Sequence, residues 1–285
     1  MKYAAIIVLY NSKCTDSITL NNLIKMNRAN IAIYVVDNSD NEEICSQNRT
    51  LCKSLKIQYH EFKKNKGLSI AYNYFLGNML NDEKFVVFFD SDSQITPDFF
   101  KCLDRSTEID KKRSVYVPRI IDDAGKIWSP NSYHVLRNHM MKDYSDVPPQ
   151  RRFNAINSCT VVSRDLMNDY RFDESIFLDQ VDTKFFYDLR GLGTHFLLLP
   201  ISIHHDFSLK SNNPVPDKIK RRYLTLIPDV LTFNSRSFIT FLLAVVKLML
   251  IGTVESYRCK RASLFFWFIS QIVTFRKTSS DHERK

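Results

Sequence analysis

Two carboxylates flank one serine directly after an apolar run. The segment "FVVFFDSDSQITPDFF" occupies residues 85–100 and carries Asp90 and Asp92. Side chains alternate along an extended segment, so these two carboxylates point the same way. Such a pair can hold Mg²⁺ or Mn²⁺, which keeps further positions for water and phosphate oxygens. The alternative is a solvated turn before a helix, with Thr96 as N-cap and Pro97 as the first helical residue.

Strand-like apolar runs alternate with helical patterns over the first hundred residues. The strand-like runs are "YAAIIVLY", "IAIYVVDNS", "IQYHEF" and "KFVVFFDSD". The helical patterns between them are "SITLNNLIKM", "NEEICSQNRTLCKSL" and "LSIAYNYFLGNML". Strands that are apolar on both faces and alternate with helices predict a parallel sheet covered on both sides. We therefore predict a βαβαβαβ unit in an α/β fold.

Polar clusters stand where these runs end. They are "YNS", "DNSD", "KKNKG" before the third helix, and "DSDS". Asn, Asp and Ser are favoured in turns and helix caps, so each cluster alone has a structural explanation. In parallel sheets, however, ligands bind beyond the carboxyl ends of the strands. Four clusters at successive ends therefore favour a nucleotide-type pocket.

The ordered set of motifs "IIVLYNS", "VVDNSD", "NKGLSIAYN" and "FFDSDSQITPDFF" resembles a known family. It is similar to the donor-binding half of the family 2 inverting glycosyltransferases with the GT-A fold, in particular the bacterial rhamnosyltransferase-like branch. The resemblance covers roughly residues 1–206 and implies a Rossmann-like mixed sheet with helices on both faces. It implies transfer of a sugar from a nucleotide diphosphate to a lipid-linked saccharide in the synthesis of a bacterial surface polysaccharide such as O-antigen. It favours dTDP-rhamnose as donor, with UDP-sugars and galactofuranosyl or other hexosyl donors as alternatives.

The resemblance also implies roles for single residues. By resemblance, Tyr10 and Asn11 would line the nucleotide pocket. Asp37 and Asn38 would contact the base and the ribose. Asn65, Gly67 and Asn73 would form the floor under the nucleotide. Glycine admits close approach of the backbone to a ligand, which suits Gly67. Asp90 and Asp92 would bind the ribose and the Mg²⁺ or Mn²⁺ of the diphosphate.

A later apolar run, "LLLPISIHHDFSL", ends in two histidines. The resemblance implies that a histidine here reaches the metal or the diphosphate, and neutral imidazole is a plausible ligand beside two carboxylates. Adjacent side chains on a strand point to opposite sides, so one of the two can face the site. We favour His205 over His204, and a purely structural histidine stays open.

An inverting transfer needs one carboxylate that accepts the proton of the attacking hydroxyl. Asp179 and Asp182 lie one helical turn apart in "RFDESIFLDQVDTKFFYDLRGLG", where an apolar run meets an amphipathic helix. Helix capping and compensation of the helix dipole are the alternative explanations. The resemblance places the base at Asp182, with Asp179 as the second candidate. The chain departs from the family pattern at Lys184 and Asp188, which puts the local hydrogen bonding in doubt.

The net charge of +9 belongs to the C-terminal part of the chain. From residue 206 onward there are 14 Lys and Arg against 6 Asp and Glu, around the apolar segments "FITFLLAVVKLMLIGTV" and "SLFFWFISQIVTF". We expect that neither segment has the roughly 20 uninterrupted apolar residues of a spanning helix. Basic flanks instead suit an anionic lipid surface. We predict a catalytic domain at 1–210, with a donor half at 1–105 and an acceptor half at 106–210. Residues 211–285 then form amphipathic helices, either peripheral on the inner face of the cytoplasmic membrane or packed as core or dimer interface.

Several other classes of protein fit the sequence poorly. The six cysteines are scattered without a C-x-x-C pair, which is typical of reduced thiols in a cytoplasmic protein. A sugar-nucleotide pyrophosphorylase needs a glycine-rich, arginine-containing N-terminal loop, and "VLYNSKCTDS" has no glycine. Basic residues that flank apolar segments do not form an open nucleic-acid surface. A non-catalytic, membrane-associated binding protein stays as the alternative.

Overall fold

A computed structural model describes residues 2–109, 114–205 and 215–282, with side chains as far as residue 275. Its strands are β1 (Tyr3–Leu9), β2 (Ile31–Asp37), β3 (Gln58–Glu61), β4 (Phe85–Phe89), β5 (Ser114–Ile121), β6 (Ile127–Ser129), β7 (Asn131–Ser132), β8 (His139–Met140), β9 (Phe153–Asn154), β10 (Thr160–Ser163) and β11 (His195–His204). Its α-helices are α1 (Ile18–Met26), α2 (Glu42–Ser54), α3 (Leu68–Tyr74), α4 (Pro97–Ile109), α5 (Arg164–Met167), α6 (Val181–Gly191), α7 (Pro216–Asn234), α8 (Phe238–Arg258) and α9 (Ala262–His282). The predicted βαβαβαβ unit is confirmed as β1 to β4 with α1 to α3.

The main sheet is mixed. Its strand order in the described residues is β11-β5-β10-β4-β1-β2-β3. The short strand β6 pairs with the C-terminal end of β5. The pairs β1–β2, β1–β4, β2–β3 and β5–β11 are parallel, whereas β10 is antiparallel to both β4 and β5. The single reversal at β10 leaves β5 and β11 parallel to β1 and β4. The carboxyl ends of six strands therefore meet at one edge of the sheet.

Both faces of the sheet are buried, as predicted. Alternate residues of β1 enter two different cores because strand side chains alternate between faces. Ala4 and Ile6 lie in a core with residues of α3 and α6. Ala5 and Ile7 lie in another core with residues of α1 and α4. Helices on both sides thus fix the sheet edge that carries the polar residues.

The part between β6 and β10 forms a feature that the sequence pattern did not predict. It contains a small sheet in the order β8-β7-β9. Its strands are only two residues long, which is too short for a period-two pattern to be recognised. This small sheet belongs to the predicted acceptor half.

The C-terminal region consists of three helices, α7 to α9, around an apolar cluster that includes Leu231, Leu248 and Phe268. Lys247 interrupts the apolar residues of α8, as the sequence shows, but the length and composition of the helix correct the inference that it falls short of a spanning helix. This helix has 21 residues, a mean hydropathy of 2.0 in its most apolar window, and only 17% of that window buried. By length and composition alone, α8 is long and apolar enough to cross a membrane. Phe233 of α7 packs in the core beneath the sheet, so the core of residues 1–210 extends into α7.

Candidate active site

A cleft of about 330 Å³ opens at the carboxyl edge of the sheet. Seven of the residues predicted for the site line it: Tyr10, Asn38, Asn65, Gly67, Asp90, Asp92 and His205. The other described lining residues include Phe177 and Leu178, from the loop before α6. The sequence did not single out this apolar wall, because its residues lie more than eighty positions from the nearest strand-end motif.

Asp90, Asp92 and His205 form one cluster. Their ligand atoms all lie within 4.8 Å of one another, and His205 Nδ1 is 3.6 Å from Asp92 Oδ1. His204 ends β11 with an exposed side chain and is not part of this cluster. Two carboxylates and an imidazole are a donor set that suits Mn²⁺ or Mg²⁺, and Asp92 is exposed enough to meet a ligand from the cleft.

The electrostatics of the cluster also suit a cation. Desolvation, and then the negative charge of Asp92, raise the pKa of Asp90, while His205 acts in the opposite direction. Two carboxylates close together cannot both ionise without cost, and a bound cation removes that cost. The three side chains are therefore suited to bind a divalent metal ion.

The backbone of the turn that carries Asp90 and Asp92 is held by two hydroxyls at the start of α1. Ser17 Oγ donates to the carbonyl of Ser91 at 2.8 Å, and Thr19 Oγ1 donates to the carbonyl of Asp90 at 2.5 Å. Thr19 Oγ1 also accepts the N–H of Ser93 at 2.9 Å. Neither hydroxyl was predicted from the sequence. The S-x-T pattern at the start of a predicted helix was the available sign, although caps alone also explain it.

The floor of the cleft is built by side-chain amides that hold a loop. Asn38 Nδ2 donates to the carbonyl of Gly67 at 2.9 Å, and Asn38 Oδ1 accepts the N–H of Lys66 at 3.0 Å. Asn65 Oδ1 accepts the N–H of Gly67 at 3.0 Å. Gly67 has a φ of +87°, and a Cβ there would stand 2.7 Å from the ring of Phe177. Only glycine fits this position.

Asp37 lies beneath the cleft and does not line it. Its side chain is fully buried, and Oδ2 accepts hydrogen bonds from Asn48 Nδ2 at 2.7 Å and from the Tyr59 hydroxyl at 2.8 Å. Its Oδ1 accepts the N–H of Ser39 at 3.0 Å. The geometry therefore gives Asp37 the role of a support for the turn after β2, in place of the direct contact with the base that the resemblance implied.

Asn11 and Asn73 also stand outside the cleft lining. The backbone N–H of Asn11, which has a positive φ, donates to Ser39 Oγ at 2.8 Å. Asn73 Nδ2 donates to the carbonyl of Phe172 at 2.9 Å, and its Oδ1 accepts the N–H of Phe172 at 2.8 Å. Asn11 therefore joins the turns after β1 and β2, and Asn73 attaches α3 to the segment before α6. The side-chain oxygen of Asn11 accepts the N–H of Asp40 at 3.3 Å, and the amide of Asn73 is used by the backbone of Phe172.

The two candidate bases differ sharply in their surroundings. Asp182 lies in the first turn of α6, and its Oδ1 is buried with no hydrogen-bond partner among the described residues. Burial, followed by the negative charge of Asp90, raises the pKa of Asp182 to about 7, against a backbone hydrogen bond from Asn157. A carboxyl whose pKa lies near 7 is suited to take a proton at neutral pH.

Asp179 forms an ion pair with an arginine. Both terminal nitrogens of Arg222, on α7, donate to its two carboxylate oxygens, one of them at 2.6 Å. The side chain of Asp179 is only 8% exposed. Bidentate Arg–carboxylate pairs are strong and fix both partners, so Asp179 is poorly placed to accept a proton.

The two departures from the family pattern pair with each other. Lys184 Nζ lies 2.7 Å from Asp188 Oδ2 one turn along α6, and the hydroxyl of Tyr170 donates to the same oxygen at 3.1 Å. Arg190, next on the helix, donates to the carbonyl of Phe153 in the small sheet. The two departures are therefore accommodated by a bond to each other, and Oδ1 of Asp182 has no partner among the described residues.

A buried carboxylate of α7 holds the loop between cleft and base. Asp229 is 1% exposed and accepts three successive backbone N–H groups, from Phe177 at 2.8 Å and from Leu178 and Asp179 at 2.7 Å. The carbonyl of Phe177 in turn accepts the N–H of Leu68 at 2.7 Å. The sequence analysis missed Asp229, since a single aspartate within a basic helix carries no pattern.

Comparisons with known proteins identify a family for more than half of the chain. The profile of the family described as "Glycosyl transferase family 2" matches residues 4–171, more than half of the chain. The dTDP-rhamnosyl transferase RfbF of Shigella flexneri is 27% identical over 233 residues, which are 77% of this chain and 76% of that protein.

Solved structures confirm the predicted GT-A fold. The crystal structure of GalNAc-T7 with UDP, GalNAc and Mn²⁺ has a TM-score of 0.63 at 13% identity, over 98% of this chain and 57% of that one. The structure of S. aureus TarS residues 1–349 in complex with UDP-GlcNAc has a TM-score of 0.51 at 14% identity, over 100% of this chain and 92% of that one. The family profile shows that the chain belongs to glycosyl transferase family 2, and its similarity to the dTDP-rhamnosyl transferase makes it rhamnosyltransferase-like.

Proposed function

We propose that this nucleotide-sugar transferase is a metal-dependent, inverting rhamnosyltransferase that uses dTDP-rhamnose. The observation that carries the proposal is the aspartate–aspartate–histidine cluster at the cleft together with a separate buried carboxyl, Asp182, whose pKa burial and the charge of Asp90 raise to about 7. The choice of donor is supported by the similarity to the dTDP-rhamnosyl transferase RfbF. UDP-sugars and other hexosyl donors are the alternatives that the donor experiment must separate.

Asp182 accepts the proton in this proposal. The acceptor hydroxyl gives its proton to the ionised carboxylate of Asp182 while its oxygen forms a bond to the anomeric carbon. The bond from the anomeric carbon to the phosphate oxygen breaks, and its electron pair leaves with the nucleoside diphosphate. Attack from the face opposite to the leaving group inverts the anomeric configuration.

Asp90, Asp92 and His205 would hold Mg²⁺ or Mn²⁺ in this proposal. A cation there supplies positive charge to the diphosphate of the donor as it leaves. The hydroxyls of Ser17 and Thr19 keep the two aspartates in place, because they donate hydrogen bonds to the backbone carbonyls of this turn. Preorganised ligands of this kind do not need to reorganise during the reaction.

We further propose that the acceptor is a lipid-linked saccharide and that the enzyme works at the inner surface of the cytoplasmic membrane. Two features support this placement: the 21-residue apolar helix α8, and the surplus of basic residues after residue 206. Apolar residues inserted at an interface together with basic residues near anionic lipid give such proteins their membrane affinity. An O-antigen or another bacterial surface polysaccharide is the corresponding product.

A panel of nucleotide sugars tests the donor. Purified protein is incubated with dTDP-rhamnose, UDP-GlcNAc, UDP-galactose and UDP-galactofuranose, with Mn²⁺ or Mg²⁺, and release of nucleoside diphosphate is measured. We expect dTDP-rhamnose to be hydrolysed fastest and the reaction to stop with a chelator. Preference for a UDP-sugar would contradict the donor, and no release from any donor would favour a non-catalytic binding protein.

A further inference from the structure

A second cavity lies away from the cleft, between the small sheet and α8. Its volume is about 760 Å³, and it is lined by the segment 133–139, by Arg151 and Arg152 after β8, and by Leu243 of α8. It is thus larger than the cleft that holds the metal-binding cluster. No step of the proposed transfer uses it.

The described lining of this cavity is basic. Arg137, Arg151 and Arg152 line it together with His134 and His139, and none of its described lining residues is acidic. Arg152 donates to the ring of His134, which stacks on His139 with ring centroids 4.0 Å apart. Within the described chain, no carboxylate pairs with any of the three arginines.

This accumulation of positive charge affects the imidazole of His134. Desolvation, followed by the charges of His139 and Arg152, lowers the pKa of His134. An anion in the cavity would relieve this repulsion. Guanidinium groups bind phosphate through paired, charge-assisted hydrogen bonds, so phosphate is the anion that the set suits best.

The apolar surface of α8 continues from the cavity. Leu243 lines the cavity, while its neighbours Leu242 and Val246 are 51% and 41% exposed and Leu250 is 61% exposed. Lys247 fixes α8 to the segment 133–139, because its Nζ donates to the carbonyl of Val135 at 3.3 Å. A phosphate in the cavity and an acyl chain on α8 can therefore belong to the same molecule.

The cavity is also connected to the candidate base. Tyr133, in its lining, covers the guanidinium of Arg190 at 5.5 Å, and Arg190 lies on the same helix as Asp182. Eight residues of helix span roughly 12 Å. A lipid headgroup in the cavity would thus lie on the side of α6 that leads to the catalytic carboxyl.

We propose that this basic cavity binds the phosphate of an anionic phospholipid whose acyl chains contact the exposed face of α8. The proposal rests on the membrane placement given under the proposed function and adds the site that recognises the lipid. Binding there would orient the catalytic cleft relative to the bilayer. It predicts that recognition depends on a few arginines and not on the net charge of the protein.

Vesicle co-sedimentation tests the site. The intact protein, the double variant Arg137→Gln/Arg151→Gln and the control Lys53→Gln/Arg105→Gln are compared on vesicles of phosphatidylcholine with and without phosphatidylglycerol. The control removes the same charge from two exposed basic residues on α2 and α4 that make no ion pair in the described residues. A basic residue near an anionic membrane contributes roughly fivefold in affinity, so the cavity pair should lose about thirtyfold. The control should lose less than about threefold.

A second arm separates a phosphate site from general attraction. Inorganic pyrophosphate, without divalent cations, should release the intact protein from the vesicles more effectively than sodium chloride at equal ionic strength. Equal losses in the two double variants, equal effects of pyrophosphate and chloride, or no binding to phosphatidylglycerol would each overturn the site. Nucleotide affinity is measured for all three proteins, so a failure of the lipid site is distinguished from a failure of the glycosyltransferase proposal.

Discussion

At the scale of residues, two aspartates three positions apart have opposite environments. Asp179 is held by both nitrogens of Arg222, whereas one oxygen of Asp182 is buried without a partner in the described part of the chain. Burial and the neighbouring charge of Asp90 make the ionised form of Asp182 costly, which is why its pKa is raised to about 7. A group held in such a state is a candidate for catalysis, since it gains its proton during the reaction.

The first residue-scale prediction concerns the metal. Asp92→Ala should remove metal-dependent donor binding and abolish transfer, because it deletes the exposed ligand of the cluster. Asp90→Ala should weaken donor binding and leave some activity. Isothermal titration of dTDP with and without Mn²⁺ measures the binding, and Asp98→Ala, an exposed aspartate at the start of α4, is the control. Full activity of Asp92→Ala in the presence of a chelator would contradict the metal site.

The second residue-scale prediction uses two glycines with positive φ. Gly67→Ala places a Cβ 2.7 Å from the Phe177 ring and 2.8 Å from its carbonyl oxygen, whereas Gly125→Ala meets nothing within 4 Å. Both variants place alanine at a positive φ, but Gly67 also has a ψ of 167°, a region that is essentially restricted to glycine, and only Gly67→Ala must displace the cleft wall. We expect Gly67→Ala to lose at least tenfold in nucleotide affinity and Gly125→Ala to lose almost none. Equal affinities would show that the floor does not need this close approach.

At the scale of elements, the strand-end motifs were predictable and their long-range supports were not. The alternation of apolar runs and helical patterns located β1 to β4, and the same-edge rule brought Asn38, Gly67 and Asp90 together. Asp37 has the same residue type and position as a ligand-binding group, but its hydrogen bonds to Asn48 and Tyr59 draw it into the core. Such partners come from tertiary packing, which a local pattern does not contain.

The element-scale prediction concerns the support of the loop by α7. Asp229→Ala would leave the backbone N–H groups of Phe177, Leu178 and Asp179 without their acceptor. An unsatisfied buried donor costs about 1–3 kcal/mol, so we expect a loss of stability of at least this size, measured by urea unfolding, and weaker nucleotide binding. Asp217→Ala, an exposed aspartate in the first turn of the same helix, is the control and should have little effect. Equal stability and equal nucleotide affinity of the two variants would contradict the claim that Asp229 supports the loop.

At the scale of the whole molecule, the C-terminal region is both part of the catalytic domain and a separate apolar surface. Phe233 and Asp229 of α7 contact the core and the cleft loop, whereas α8 leaves Phe238, Ile239 and Leu250 largely exposed. Charge and hydropathy located the whole basic and apolar region, but they did not divide it. The division depends on which single residues reach the catalytic domain.

Two truncations test this division. A chain that ends at Asn234 keeps α7 and should still bind nucleotide, although it needs mild detergent because Ile227 and Leu231 lose their partners. It should no longer sediment with phosphatidylglycerol vesicles. A chain that ends at residue 214 also lacks Arg222 and Asp229 and should lose nucleotide binding. Equal nucleotide affinity of the two truncated chains would show that α7 is not part of the site.

The central proposal is that Asp182 is the base, and paired Asp→Asn variants test it. Asparagine keeps the size of the side chain but takes no proton, so Asp182→Asn should bind dTDP normally while kcat falls by roughly 10² to 10⁴. Asp179→Asn should keep most of its turnover.

The measurement is kcat/KM of both variants and the intact protein as a function of pH. The intact protein should lose activity about tenfold per pH unit below a pKa near 7, because the base must be ionised, and should level off above it. Asp182→Asn should lack this dependence. An Asp182→Asn variant that keeps near-normal turnover and the same pH profile, while Asp179→Asn loses both, would contradict the assignment.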